Sequence, residues 1–470
     1  MEKLYVFLSF LDSLVWGYPL IIFIFCLHIY ITFRTRFVQR KLFKGIKLSL
    51  KNKSYTEGHI SPFAALCTDL SGTVAMGNVL GVAYGIVLGG VGSIFWICLT
   101  GILGVATKYA ESLLTVKYKV KNQDGTIVGG MMYVMEHALK KKWLAIIYTI
   151  LVCITCFMMY GAFQSSELFL FCFKVKSWSL ELILLLIVVS SMLACCIHKG
   201  IKSISKACVI IVPFMIILYV LSCLTILMIN IKYLLPAISS IFTQAFSLKA
   251  SVGGSVGVSI ITAMRYGISK ATFSSESGSG MNSVADACAK AKDPFQQALI
   301  SSTGTFWDSC VICVLTGLVF VTTSYAIPSF PINELNVIGI LSLSFAKLPY
   351  GNLLMFCTLF LFIFSTMLEG AYVFEVSFKY LFSKANFFMI RCFYVFAVIL
   401  GVVWPIKAWD VFELFEGLKI IPSTIALFLL GSLISKETRQ YLSNNNINVE
   451  NINPGQVLET KKHNEMKINL

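Results

Sequence analysis

Five ionisable side chains, Asp69, Arg265, Asp308, Glu369 and Glu375, stand inside otherwise apolar runs. A charge in hydrocarbon is costly, so such residues pair, gate a passage or bind an ion. Arg265 and Asp308 are expected to gate or to pair structurally. Lys108 and Glu111 are three apart at the end of another apolar run and read as a structural pair. Glu276 falls in FSSESGSG, either a re-entrant gate or a loop. Cys153 and Cys156, like Cys310 and Cys313, have the spacing of redox or zinc pairs. Both pairs sit in apolar surroundings without a nearby histidine, which favours helix packing over a metal site. The five histidines (His28, His59, His137, His198 and His463) are not at ligand spacing, so neither a catalytic centre nor an enzyme activity is expected.

The elements that must position these groups are membrane spans. Of 470 residues, 57% are hydrophobic and only 13% charged, about half the charge of a soluble domain. Mean hydropathy is +0.80. The net charge of +15 reads as basic cytoplasmic loops rather than a nucleic-acid surface. Glu2 offsets Lys3 and no small-residue cleavage site follows, so no secretory leader is expected. Stretches of ~20 apolar residues predict eleven spans: 14–33, 61–88, 91–116, 143–165, 180–198, 206–230, 237–268, 296–323, 350–378, 387–404 and 412–435. Lys and Arg crowd the loops after the first, third and fifth spans. By the positive-inside rule the N-terminus is then outside and the C-terminus cytoplasmic. Residues 436–470 read as a disordered cytoplasmic tail.

Two spans differ from the rest. Residues 61–88 and 237–268 are interrupted near the middle by Gly and small polar residues. Four spans separate them, so each opens a set of five, and an odd number per set inverts the topology. Paired broken helices point to a transporter's binding site, because freed backbone groups must line a cavity or bind something. Gly77, Gly81, Gly85 and Gly89 form a stripe for close helix approach. Packing alone explains the last three. It explains the run Gly72 to Asn78 less well, and that run reads as an unwound ligand site.

The stretch EGHISPFAALCTDLSGTVAMGNVLGVAYGIVLGGVGSIFWICLTGILGVATKYAESLLTVKY resembles the signature of the alanine/glycine:cation symporters. DGTIVGGMMYVME, AMRYGISKATFSSESGSGMNS, FWDSCVICVLTGL and FSTMLEGAYVFEVSFKYLF match further family segments in order, across roughly residues 30–436. The resemblance implies an all-α membrane protein with the inverted 5+5 repeat of leucine-type transporters and one leading helix. On this organisation 1–34 is the leading helix, 35–60 a basic cytoplasmic loop, 61–230 the first repeat, 237–435 the second and 436–470 the tail. It implies sodium-coupled symport of small neutral amino acids into the cell across the inner membrane, with some members using protons. Na⁺ would be the coupling ion, with no other cofactor; a monomer is expected, with the bilayer as its surroundings and no nucleic-acid partner.

The resemblance also implies site residues. Thr73, Ala75, Met76, Gly77 and Asn78 would offer N–H groups to the substrate and, at Thr73 and Met76, carbonyls to Na⁺. Gly253, Gly254, Ser255 and Gly257 would form the partner break. Gln164 would either bind substrate or make an interhelical bond. Ser365 and Thr366 would ligate Na⁺ or bond their own i−4 carbonyls. The chain departs from the family pattern at Ala75-Met76, Ser255-Val256, Ser275 and Glu369-Gly370. Loss of aromatics at 255 and 370 predicts a larger pocket, partly refilled by Met76, and a substrate somewhat larger than alanine. Glu369 would turn to a neighbouring helix rather than into the pocket. A proton-coupled carrier and a transport-dead amino-acid receptor are the alternatives.

Overall fold

The computed structural model describes residues 10–50, 58–122, 125–163, 180–247, 250–252, 255–258, 260–327, 337–403, 409–443 and 458–459. Helix α1 (Tyr18–Arg34) leads through a bend of 64° into a short arm carrying α2 (Leu42–Ser49). Helices α3 (Pro62–Thr73) and α4 (Gly77–Gly89) form one span bent by 41°. Five helices are each long and apolar enough to cross a bilayer: α5 (Ser93–Lys117), α7 (Lys142–Phe163), α9 (Ile201–Ile229), α12 (Pro294–Ala326) and α14 (Gly351–Leu381). With the bent pairs counted as single spans, length and composition admit up to eight crossings among the described residues. The remaining helices are α6 (Met131–His137), α8 (Leu180–Ile197), α10 (Leu234–Ala245), α11 (Ile260–Ser275), α13 (Val337–Phe345), α15 (Phe387–Val403), α16 (Trp409–Leu429) and α17 (Gly431–Ser443). Strands β1 (Val120–Lys121) and β2 (Ile127–Val128) pair antiparallel beside α6.

The first broken span forms for local reasons. Ser61 caps α3, its Oγ accepting the Ala64 N–H at 3.1 Å, and Pro62 supplies a helical φ without needing a donor. The helix stops at Val74, whose ψ of 86° is not helical. Asn78 then bridges the gap: its Oδ1 accepts the Ala75 N–H at 2.8 Å. The glycine stripe of α4 lies on α11, as close packing requires: Gly77, Gly81 and Gly89 face Phe273, Lys270 and Tyr266 in turn. The contacts run in opposite chain directions, so the two helices are antiparallel.

The region expected as one span over 237–268 is built differently. Helix α10 buries Ala237, Ile241 and Ala245 and exposes the apolar Leu235, Ile238 and Phe242. Strands β3 (Ala250–Val252) and β4 (Ser255–Val258) pair antiparallel, and α11 begins only at Ile260. Gly253 and Gly254 lie outside the described residues, while Ser255 and Gly257 belong to β4. The break that meets the first broken span comes after α11. There Glu276, Gly278 and Gly280 all have positive φ (50°, 103° and 69°), and a 3₁₀ segment, Asn282–Cys288, follows. Helix α4 packs on α11, and α3 packs on that 3₁₀ segment. The two broken segments therefore cross head against tail. The polar tail also starts later than its composition suggests. Residues 436–443 continue α17, where Ile434 and Thr438 are buried, and Lys117 pairs with Glu437 at 2.5 Å.

Candidate substrate and cation site

The two breaks enclose a cleft with about 420 Å³ of space between atoms, counting what is open to solvent. One wall is the first break: Gly72, Thr73, Ala75, Met76 and Gly77. Opposite stand Phe273, Ser274 and Glu276 at the second break, with Tyr160 and Phe163 from α7, Glu416 from α16 and Thr366 from α14. The wall at Met76 and Gly77 is the start of α4, the positive end of its dipole. The far wall is acidic. Glu276 accepts the Tyr160 hydroxyl and pairs with Lys419 at 3.5 Å; Lys419 pairs with Glu416 at 2.8 Å. The apolar remainder is Met76, Phe163 and Phe273.

Both breaks are held from outside by buried charges. Lys108 of α5 binds Asp69 of α3 at 2.6 Å, both side chains being 2% exposed. One turn on, Glu111 accepts the Gly278 N–H at 2.6 Å. Lys108 and Glu111 thus each reach a different broken segment, which departs from the mutual pair expected from their spacing. Glu111 is drawn off because the left-handed turn at Gly278 leaves an N–H that must be satisfied in a buried setting. Asp308 of α12 joins the breaks to each other. Its Oδ1 accepts from Asn78 at 2.5 Å and from Ser274 at 3.0 Å, while Ser309 donates to Oδ2 at 2.7 Å. Arg265 lies over the rings of Tyr18 and Tyr266 instead. Glu375 takes a two-pronged bond from Arg391, at 2.6 and 3.1 Å, that ties α14 to α15.

At the rim of the cleft, α14 meets α3. Ser365 Oγ lies 3.2 Å from the Ser71 carbonyl and 3.0 Å from that of Phe362. Thr366 Oγ1 lies 3.3 Å from the same Ser71 carbonyl and 2.8 Å from Phe362 O. Thr366 thus bonds its own i−4 carbonyl and Ser365 its i−3 carbonyl, and both also reach across to α3. Four neutral oxygens gather at one point, the donor chemistry that a hard monovalent cation takes.

A profile of the sodium:alanine symporter family matches residues 1–453. The chain belongs to that family. The sodium/alanine symporter AgcS of Methanococcus maripaludis is 35% identical over 443 residues, covering 92% of this chain and 95% of the relative. An uncharacterized transporter of Haemophilus influenzae is also 35% identical, over 94% of this chain and 97% of the relative. A probable sodium/glutamine symporter of Bacillus subtilis, GlnT, is 30% identical over 92% and 89%. Among solved structures, MhsT in complex with L-phenylalanine superposes with a TM-score of 0.54 at 12% identity, over 82% of this chain and 99% of that one. A Na⁺-coupled sialic acid symporter gives 0.54 at 14% identity, over 86% of each. The family member described here is thus a membrane transporter with the leucine-transporter fold.

The family site residues expected from sequence divide three ways. Thr73, Ala75, Met76, Gly77 and Thr366 line the cleft, and Ser365 meets α3 beside it. Asn78 stands behind the wall, with its amide spent on Ala75 and Asp308. Gly370 does not line the cleft. A Cβ there would meet Tyr160 Cβ and, at 2.6 Å, the Tyr394 hydroxyl, so these tyrosines occupy the space expected to enlarge the pocket. Ser255 and Gly257 lie in β4, and Gln164 lies outside the described residues. Sequence reasoning missed Tyr160, Phe163, Phe273, Ser274 and Glu416 as cleft residues. Glu416 and Lys419, three apart in the apolar run 412–435, carried the available signal.

Proposed function

We propose that the protein is a secondary active transporter that carries a small neutral amino acid into the cell together with Na⁺. The observation behind this reading is the meeting of Ser365 and Thr366 with the Ser71 carbonyl beside the break in α3–α4. A cation held there would tie α14 to α3, so its arrival and loss would be felt at the cleft wall. Thr73 and Met76 are the adjoining residues whose carbonyls would complete its shell.

The cleft suits a zwitterion. The N-terminus of α4 at Met76 and Gly77 favours the substrate carboxylate. Glu276 and Glu416 favour its ammonium group. The tyrosines packed on Gly370 argue for alanine or glycine rather than a larger side chain, in line with the name of AgcS. In the full reading the chain has eleven spans as an inverted 5+5 repeat after a leading helix, with the N-terminus outside and the C-terminus in the cytoplasm. The head-to-tail crossing of the two broken segments supports that inversion. It works in the cell membrane as a monomer.

Exchange of labelled alanine across proteoliposomes tests this reading. Exchange that needs Na⁺ supports it. Exchange that is indifferent to Na⁺ but follows a proton gradient makes the carrier proton-coupled, and binding without exchange makes it a receptor.

A further inference from the structure

Glu369 of α14 is 1% exposed, and neither of its carboxylate oxygens has a hydrogen-bond partner. It lies one turn after Ser365 and Thr366 on the same helix face. It turns towards α3, not into the cleft, and its Oε2 fills the space that a Cβ on Gly72 would need. Gly72 directly follows Ser71, whose carbonyl takes both hydroxyls. Helix α14 thus presents two hydroxyls and one carboxylate to a single turn of α3.

Among the described residues, no cation pairs with this carboxylate. The positive charges that bear on it are Lys108 and Lys419, and the negative ones are Asp69 and Glu276. Lys108 is already bound to Asp69, and Lys419 to Glu416 and Glu276. The Cys208 thiol of α9 and the Tyr394 phenol of α15 also feel its charge. Tyr394 donates to the Met367 carbonyl at 3.0 Å. An unpaired buried carboxylate is strongly unfavourable. Adding a proton would remove the charge but would still leave an O–H donor and a carbonyl acceptor without partners.

We infer that Glu369 is a direct, charged ligand of the coupling cation, completing a monovalent-cation site with Ser365, Thr366 and the Ser71 carbonyl. The ion reaches it from the cleft, which both Gly72 and Thr366 line. Gly72 is required for this arrangement, since any side chain there would push the carboxylate away.

The inference rests on the Na⁺-coupled reading, and binding of ²²Na⁺ to the purified full-length protein, without substrate, separates the two. If the wild type binds no Na⁺, that reading fails. If it binds, Glu369→Gln should raise the half-saturating Na⁺ concentration by roughly 10- to 100-fold, the usual effect of disturbing a metal's surroundings. Gly72→Ala should shift it in the same direction. Glu369→Gly serves should the glutamine variant not fold, and the same loss is expected. Unchanged Na⁺ affinity in a folded Glu369→Gln or Glu369→Gly protein overturns the inference. So does wild-type binding of Na⁺ that is lost in Thr366→Val but indifferent to Glu369.

Discussion

The Asn78 side-chain amide lies 2.5 Å from Asp308 Oδ1 while its carbonyl oxygen accepts the Ala75 N–H at 2.8 Å. The same Asp308 oxygen takes the Ser274 hydroxyl. One residue thus closes the gap in the first broken span and, through Asp308, fixes its distance from the second. Asn78 shapes the cleft from behind its wall.

From this, Asn78→Ala leaves a buried carboxylate short of a donor and an Ala75 N–H short of an acceptor. Each unsatisfied group costs about 1–3 kcal/mol. Thermal unfolding in detergent is expected to show a clear loss of stability. A variant as stable as the wild type would mean that Asp308 finds its partner elsewhere.

Lys108 and Asp69 make the second clamp. Removing one charge from a buried pair costs about 3–5 kcal/mol, because the other is left uncompensated. Lys108→Met and Asp69→Asn should each be severely destabilised, whereas the double variant should recover much of the loss. Additive effects in the double-mutant cycle would contradict the pairing.

Thr366→Val keeps the shape of the side chain and removes its oxygen. Transport by this variant is expected to need at least about tenfold more Na⁺, in the range seen when a metal's surroundings are disturbed. Uptake at saturating Na⁺ should stay near wild type. A Na⁺ dependence that does not move would remove Thr366 from the cation site.

At Gly370 the structure leaves no room for the enlarged pocket expected from the sequence, and Gly370→Trp tests this. The indole would strike Tyr160 and Tyr394 rather than fill an open space. Forcing even a few atoms into a packed interior costs about 1–3 kcal/mol. The variant should express poorly and unfold early, with no narrowing of the substrates accepted by whatever folds. A stable Gly370→Trp protein with altered selectivity would restore Gly370 to the cleft.

The first break was legible in the sequence because its signal is local. Gly72 and Gly77 bracket it, and Asn78 is a polar side chain with no reason to stand at mid-span except a gap to close. That Ser365 and Thr366 stand at the middle of their span was legible in the sequence as well. The second break was misread because two glycine-rich runs compete. Gly253, Gly254 and Gly257 interrupt the more apolar stretch, but Gly278 and Gly280 carry the left-handed turn. Hydropathy favours the first run. The partners that stabilise the second, Glu111 on α5 and Tyr148 on α7, are more than a hundred residues away. The filling of Gly370 was not legible for a similar reason. A glycine that replaces an aromatic looks like a cavity until the neighbours that grew into it, Tyr160 and Tyr394, are known.

Concentrative uptake tests the central claim most directly. Proteoliposomes containing the purified protein are given labelled alanine outside, with an inward Na⁺ gradient, no pH gradient and a clamped membrane potential. Alanine should accumulate above its external concentration, and a Na⁺ ionophore should release it. Reversing the gradient should drive the label outward. Equal accumulation with choline in place of Na⁺, or accumulation that survives the Na⁺ ionophore and collapses with a proton ionophore, would contradict sodium coupling.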